Sequence, residues 1–333
     1  MNKLLKRGLI LGCVLIVISC ITIYCTVDIK ALTMLSTFNM ESILLAVIAL
    51  SIGMYFDGLR LQRLVRIGGY HLPIKAVLRV IFGNYFMALL TPGASGGAVA
   101  QVLILKSYGV PIAKATPIVL IRTIFSILFL IIMMPFIFLH DTMTIPYISK
   151  DMLWKLSLLL VLCVCMGIYF LKTELCKRLV YRLARYIKKD NPNTWLIKLE
   201  EINSGFALLY EHPIQSFIVF IESGISLLCL YCIAPALMWA FSTTTLPVVM
   251  ILERMILLNL ILYFAPTPGG TGIAEGLFVF LLASFVPDGT IGLIAVGWRV
   301  IAEYIPFFIG MYAVLTLYGK QFVAGTVTTS DKL

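Results

Sequence analysis

Apolar runs of 18 residues or more recur along the whole of this 333-residue chain, and they constrain its fold more than any motif in it. In hydrocarbon no water satisfies a backbone N–H or C=O, so a segment that enters it must make its hydrogen bonds internally. Runs of this length do so as helices, since ~20 residues rising 1.5 Å each cross ~30 Å. Charged residues are 13% of the chain and the mean hydropathy is +1.02, against about 25% charged in a soluble domain. The chain reads as an all-α polytopic membrane protein. Its longest polar connection, 172–213, is too short for a further domain of ~100 residues.

The net charge of +10 reports topology rather than a nucleic-acid partner. Twenty of the 26 Lys and Arg residues fall on alternate connections of the segment map, including Arg60 to Arg79 and Lys172 to Lys198. That is the bias that keeps basic loops cytoplasmic, with some attraction to anionic inner-leaflet lipid. Both termini are then cytoplasmic in a multi-pass plasma-membrane protein. Lys3, Lys6 and Arg7 precede an apolar run from Gly8 to Cys25. This run exceeds a 7–15-residue signal core and reads as the first membrane helix, despite a loose lipoprotein-like Val17-Ile-Ser-Cys20. The eight cysteines lie almost entirely in apolar spans and read as small buried hydrophobes, Cys229 and Cys232 included.

Full spans are expected at 8–26, 41–59, 113–139, 153–171, 214–240 and 290–318. Two further apolar stretches are interrupted, by Thr91-Pro-Gly-Ala-Ser-Gly-Gly-Ala98 and by Thr267-Pro-Gly-Gly-Thr-Gly-Ile-Ala274, which align without a gap at an offset of 176. Their second limbs, starting at Ala98 and Ala274, are too short to cross ~30 Å, so each stretch reads as a re-entrant helical hairpin; were the limbs to cross fully, the helices would number ten with the same parity. Residues 1–150 and 151–320 thus repeat the order helix, helix, hairpin, helix. The second set starts from the opposite side, with a basic cytoplasmic loop at 172–212 and a tail at 321–333. An inverted-topology repeat with Gly/Pro-broken segments in both halves is the sequence mark of a transport site, although channels also use re-entrant hairpins.

At the breaks, Gly93, Gly96, Gly97, Gly269, Gly270 and Gly272 permit close backbone approach, and Pro92 and Pro268 stop the upstream helix. Each second limb would begin with unpaired N–H groups near the bilayer middle, a place for an anion such as phosphate, or else a tight packing point. Arg122 and Arg299 correspond at an offset of 177, each about ten residues into a span. An Arg there costs ~2.5–3.5 kcal/mol unless it meets a cavity or a partner. Glu303 stands one turn after Arg299 as an ion-pair partner, whereas no acid shares the helix face of Arg122. Glu275 caps the second limb, meets a cationic group or carries a proton. Glu222, Glu253 and Arg254 complete the ionisable groups assigned to apolar sequence, and Asn84 and Asn259 hydrogen-bond the breaks or pack. His71, His140 and His212 have no metal-ligand spacing, and no catalytic motif, cofactor site or metal site is legible.

Around Thr91 to Gly97, Gln101, Gly109 and Arg122, and again over Pro266-Thr-Pro-Gly-Gly-Thr-Gly272 with Glu275-Gly276, the chain resembles the transmembrane, flippase-like region of the lysylphosphatidylglycerol synthase family. The second block looks like that family's PTPGG-x-G-x-x-E pattern, and the first carries Ala98 where the commoner version has Gly-Glu. The likeness covers nearly the whole chain. It implies a membrane region that moves aminoacylated phosphatidylglycerol, with the transferase chemistry held in a C-terminal cytosolic domain that is not expected in a chain ending at Leu333.

The expectation is therefore a non-catalytic lipid translocase for an anionic or aminoacylated phospholipid or another lipid-linked phosphate. Its partner is a phospholipid headgroup held by Arg122, Arg299, the glycine breaks, Glu275 and Glu303, and a homo-oligomer is compatible with it. The rivals are a phosphatidylglycerol lysyltransferase and a small-solute or ion transporter.

Overall fold

A computed structural model describes residues 39–91, 93–136, 150–171, 173–187, 192–242 and 245–323. The expected first helix, Pro92 and the tail from 324 lie outside the described residues.

The described chain is helical throughout. Helix α1 (Met40–Ile67) ends where Gly69 takes a φ of 87°, and the chain turns through Pro73 into α2 (Ile74–Leu90). After the first break come α3 (Ser95–Ser107) and α4 (Ile112–Met133), the latter opened by Pro111 and closed by a 3-10 turn, Met134–Phe136. Helices α5 (Lys150–Leu171), α6 (Glu174–Ile187) and α7 (Pro192–Glu211) lead to α8 (Pro213–Tyr231) and its short continuation α9 (Ile233–Met238). The second broken stretch supplies α10 (Val248–Leu262) and α11 (Ile273–Leu282). Last comes a long rod made of α12 (Ile291–Arg299), a π turn (Val300–Tyr304) and α13 (Ile305–Val323).

Among the described residues, four helical stretches are long and apolar enough to span a bilayer: Met40–Ile67, Ile112–Met133, Pro213–Met238 and Ile291–Leu317. Helix α5 contains a shorter apolar segment, Ser157–Gly167. Outward faces carry bare Leu44, Leu45, Ile48, Ile52, Phe217 and Phe308, which belong against lipid. This is an all-α polytopic membrane fold. The order long helix, two-limbed hairpin, long helix occurs twice, in α1 to α4 and in α8 to α13.

The two sets interlock, and glycines set how closely. Where α1 crosses α8, a Cβ on Gly53 would stand 2.9 Å from Leu230 Cγ and 3.2 Å from the Ser226 carbonyl oxygen. The Ser226 hydroxyl donates to the Gly53 carbonyl at 2.8 Å. Where α2 crosses α13, a Cβ on Gly310 would lie 2.0 Å from the Phe82 carbonyl oxygen. No side chain fits there, so the backbones touch. Helix α7 seats on α4 in the same way, through Gly205 against the ring of Pro117.

Four boundaries differ from the sequence reading. Helix α1 runs on past residue 59 to Ile67, carrying Arg60 and Arg63 with it. The described part of the connection 172–213 is two helices, α6 and α7, rather than a loop. The span at 214–240 ends at Met238 and misses one ladder bond at Pro235, which has no N–H to donate. The final span is interrupted by the π turn, since Pro306 has no N–H for the carbonyl four residues back and the ladder re-registers before it.

Candidate functional site

Each break folds into a tight tip. In the first, Gly93 has a φ of 60° and Ala94 a φ of 53°, the latter a left-handed conformation uncommon for a residue with a Cβ. Thr91 then caps α3, its hydroxyl accepting from Gly96 N at 2.8 Å and donating to the Met87 carbonyl at 2.9 Å. In the second tip, Gly269, Gly270 and Gly272 all have positive φ, and Glu275 reaches back so that its Oε2 accepts from Gly272 N at 2.7 Å. The tips meet: a Cβ on Gly269 would fall 2.9 Å from Leu89 Cδ2 at the end of α2.

The backbone N–H groups expected to await an anion are largely spent within the tips. Gly96 donates to Thr91, Gly97 to the Ala94 carbonyl, Gly270 to the Thr267 carbonyl and Gly272 to Glu275. The glycines shape the tips more than they ligate. Gly96 and Gly97 are buried where a Cβ would strike Thr91 and Asn84.

Beside the tips lies a cavity of about 430 Å³, lined from both halves of the chain. The first half contributes Asp57, Arg60, Asn84, Tyr85, Gln101 and Arg122 together with the tip residues Gly93, Ala94 and Ser95. The second contributes Ser226, Tyr231, Asn259, Tyr263, Thr267, Gly269, Gly270 and Glu303. The volume falls within the 300–1,000 Å³ of ordinary ligand sites.

Two charge clusters stand on this cavity. In the first, the buried Asp57 carboxylate takes both forks: Arg122 Nε donates to Oδ1 at 3.2 Å, Arg122 also donates to Oδ2, and Arg60 Nε donates to Oδ1 at 2.5 Å. Arg122 further donates to Gln101, whose Nε2 donates to Asn84 Oδ1 at 2.8 Å, and Arg60 donates to the Ser126 hydroxyl at 2.7 Å. Asp57, Arg60, Gln101 and Arg122 are all at most 6% exposed. Two guanidiniums share one carboxylate, which leaves one unit of positive charge on this wall.

The second cluster is the reverse. Arg299, 2% exposed, donates through Nε to Glu275 Oε1 at 2.9 Å and is paired with Glu303 on its own helix, while NH2 donates to the Gly269 carbonyl at 3.1 Å. One guanidinium faces two carboxylates, which leaves one unit of negative charge. Glu303 lines the cavity, whereas Glu275 and Arg299 stand behind it. Arg299 therefore grips the second tip from outside the cavity, and Arg122 fronts the cavity itself.

Several residues sit where the sequence did not put them. Arg60, assigned to a cytoplasmic connection, is buried in the site, and Asp57, passed over in the apolar sequence, is its hub. Arg122 finds its acid on another helix, 65 residues away in sequence. Glu222 accepts both Nε and NH2 of Arg63, at 3.2 and 2.8 Å, which ties α8 to α1 away from the cavity. Arg254 donates to the Leu281 carbonyl at 2.5 Å and lies over the Phe285 ring. Asn259 donates within its own helix, to the Met255 carbonyl at 2.9 Å. Glu253 is buried outside the cavity lining. Among the described residues no group of His, Cys, Asp and Glu has metal-site geometry.

Residues 9–310 match the family of the lysylphosphatidylglycerol synthase TM region. The chain is also similar to a UPF0104 membrane protein of Archaeoglobus fulgidus, at 22% identity over 282 residues, 81% of this chain and 85% of that protein. With two broken hairpins, a shared cavity and a family match across nearly its whole length, the chain belongs to the lysylphosphatidylglycerol synthase transmembrane-region family.

Proposed function

We propose that this protein is a non-catalytic lipid translocase that carries the headgroup of an anionic or aminoacylated phospholipid, or of another lipid-linked phosphate, through the cavity between the two hairpin tips. The observation that carries the reading is the pair of buried arginines, Arg60 and Arg122, sharing the single carboxylate of Asp57 on the cavity wall. A phosphodiester brings one negative charge and neutralises the unit that Asp57 leaves uncompensated. Charge-assisted hydrogen bonds to both guanidiniums replace the water stripped from the phosphate. A cavity of about 430 Å³ holds a headgroup and no pair of acyl chains. The chains would stay in the bilayer while the headgroup passes through protein.

The surrounding architecture suits alternating exposure. Of the helices α4 to α9 that separate the hairpins in sequence, α4, α5 and α8–α9 carry the apolar spans, and if these three cross the bilayer and α6 and α7 do not, the hairpins enter from opposite faces. Their tips touch at Leu89 and Gly269, so parting on one side at a time would open the cavity to one leaflet and then the other. The plasma-membrane location and cytoplasmic termini expected from the basic segments fit this arrangement.

The test is lipid movement in proteoliposomes across a headgroup panel. Arg60→Ala, in a residue that charge patterning alone would leave in a loop, is expected to slow movement of anionic lipids by about tenfold or more, since hydrogen bonds to charged groups are worth ~1.5–3 kcal/mol. Unaltered movement of every headgroup overturns the assignment of this wall to phosphate. Movement of a water-soluble solute that ignores lipid headgroup would instead establish the small-solute rival.

A further inference from the structure

The second charge cluster does two jobs at once. Arg299 holds the second tip directly, through the Gly269 carbonyl at 3.1 Å, and indirectly, through Glu275, which in turn holds Gly272 N at 2.7 Å. Both Glu275 oxygens are thereby committed to the tip. Glu303 is not: its carboxylate pairs with Arg299 on one side and borders the cavity on the other. It is also the more open of the two acids, with a side chain 20% exposed against 6% for Glu275.

Its backbone setting is irregular as well. Glu303 falls in the π turn Val300–Tyr304, where the ladder is out of α register, a feature that recurs at functional sites. On the same cavity lining, Thr267 of the second tip keeps a buried hydroxyl oxygen with no hydrogen-bond partner among the described residues.

We propose that Glu303 is a cation-sensitive latch: a cation that reaches its carboxylate from the cavity loosens its hold on Arg299 and with it the Arg299 grip on the second hairpin tip. The cation is a proton or a headgroup ammonium, since both cancel the one negative charge this cluster carries in excess. The proton case stands by itself, and the ammonium case rests on the lipid reading. The charged and titratable groups that share this setting are Arg299 and Tyr304 on the same rod, Glu275 on α11, Tyr85 on α2, Asp57 and Arg60 on α1, Arg122 on α4, Tyr231 on α8 and Tyr263 after α10. The positive ones are already paired with carboxylates, so an incoming cation is directed to Glu303.

Tip release reads out as amide hydrogen exchange over residues 266–276 in bilayer nanodiscs, corrected for the intrinsic pH dependence of exchange. In the wild type, exchange there should quicken about tenfold or more as the buffer is taken from neutral to acid, because local opening sets exchange at the tip. At neutral pH, nanodiscs of phosphatidylethanolamine should quicken it relative to phosphatidylglycerol. Glu303→Gln should exchange fast throughout and lose both responses. Glu303→Asp keeps the charge and should remain protected and acid-sensitive.

A Glu303→Gln tip as protected and as acid-responsive as the wild type overturns the latch, and so does an Asp variant as loose as the Gln variant. Should Glu303→Gln not fold, a wild-type tip indifferent to acid decides against the proposal. Acid release without an ethanolamine response assigns the latch to protons. Because exchange needs no lipid movement, loss of the latch and loss of the translocase reading are separate results.

Discussion

Replacing Asp57 by alanine is the sharpest test of the first cluster. The carboxylate receives Arg122 through two nitrogens and Arg60 at 2.5 Å, in a setting where Asp57 itself is 4% exposed. Its removal leaves two guanidiniums facing each other with no intervening anion. Breaking a buried pair by deleting one partner costs ~3–5 kcal/mol, a factor of roughly 10² to 10³·⁵ in the folding equilibrium. Denaturant unfolding in mixed micelles measures this, with Trp298 as reporter: it is 3% exposed and stacks on Phe278 at 5.0 Å.

Two companions isolate the electrostatic cause. Anionic lipid in the micelle should restore part of the loss in Asp57→Ala, because its phosphate substitutes for the carboxylate, and zwitterionic lipid should restore less. The triple variant Asp57→Leu/Arg60→Leu/Arg122→Leu removes every charge of the cluster and should fall within ~1–2 kcal/mol of the wild type, as replaced buried pairs and triads do. An Asp57→Ala protein within ~0.5 kcal/mol of the wild type, with no lipid rescue, would refute the reasoning. It would mean that water reaches both guanidiniums and that no uncompensated charge is held there.

Other outcomes follow from the same geometry. Gly310→Ala, with a Cβ 2.0 Å from the Phe82 carbonyl oxygen, should cost ~1–3 kcal/mol in unfolding experiments; Gly276→Ala, with nothing within 4 Å in a helix, should be neutral or gain up to ~1 kcal/mol. Gln101→Leu breaks the bridge from Arg122 to Asn84 and should lose ~1–3 kcal/mol, detectable by the same unfolding assay. Ala98→Phe fills the cavity without touching a charge, and should block lipid movement while leaving the melting temperature near that of the wild type.

The sequence carried the frame of this fold because its strongest signals are local. Apolar runs mark helices, and Gly/Pro clusters stop them, so both hairpins and the order of the two sets were legible. The Arg299–Glu303 pair was legible too, being one turn apart on one helix. Arg122 was not, because its contact with Asp57 is tertiary: it looks unpartnered along its own helix. Asp57 and Arg60 were hidden by a rule of thumb that ends a span at the first charges. Three residues apart, they neutralise each other and let α1 continue to Ile67, which is the signal that would have found them. The spent N–H groups of the tips depended on where the Thr91 hydroxyl and the Glu275 carboxylate point. Composition does not encode that. The π turn did have a mark, Pro306, at the end of the turn it disrupts.

The central claim is that a lipid phosphate passes over Arg60 and Arg122. The most direct measurement is transbilayer movement of phosphatidylglycerol in proteoliposomes containing Asp57→Leu/Arg60→Leu/Arg122→Leu, a set of changes that deletes the phosphate fork without stranding a buried charge. The expected result is a folded protein whose lipid movement falls to the protein-free rate. Movement at the wild-type rate in that protein would contradict the account.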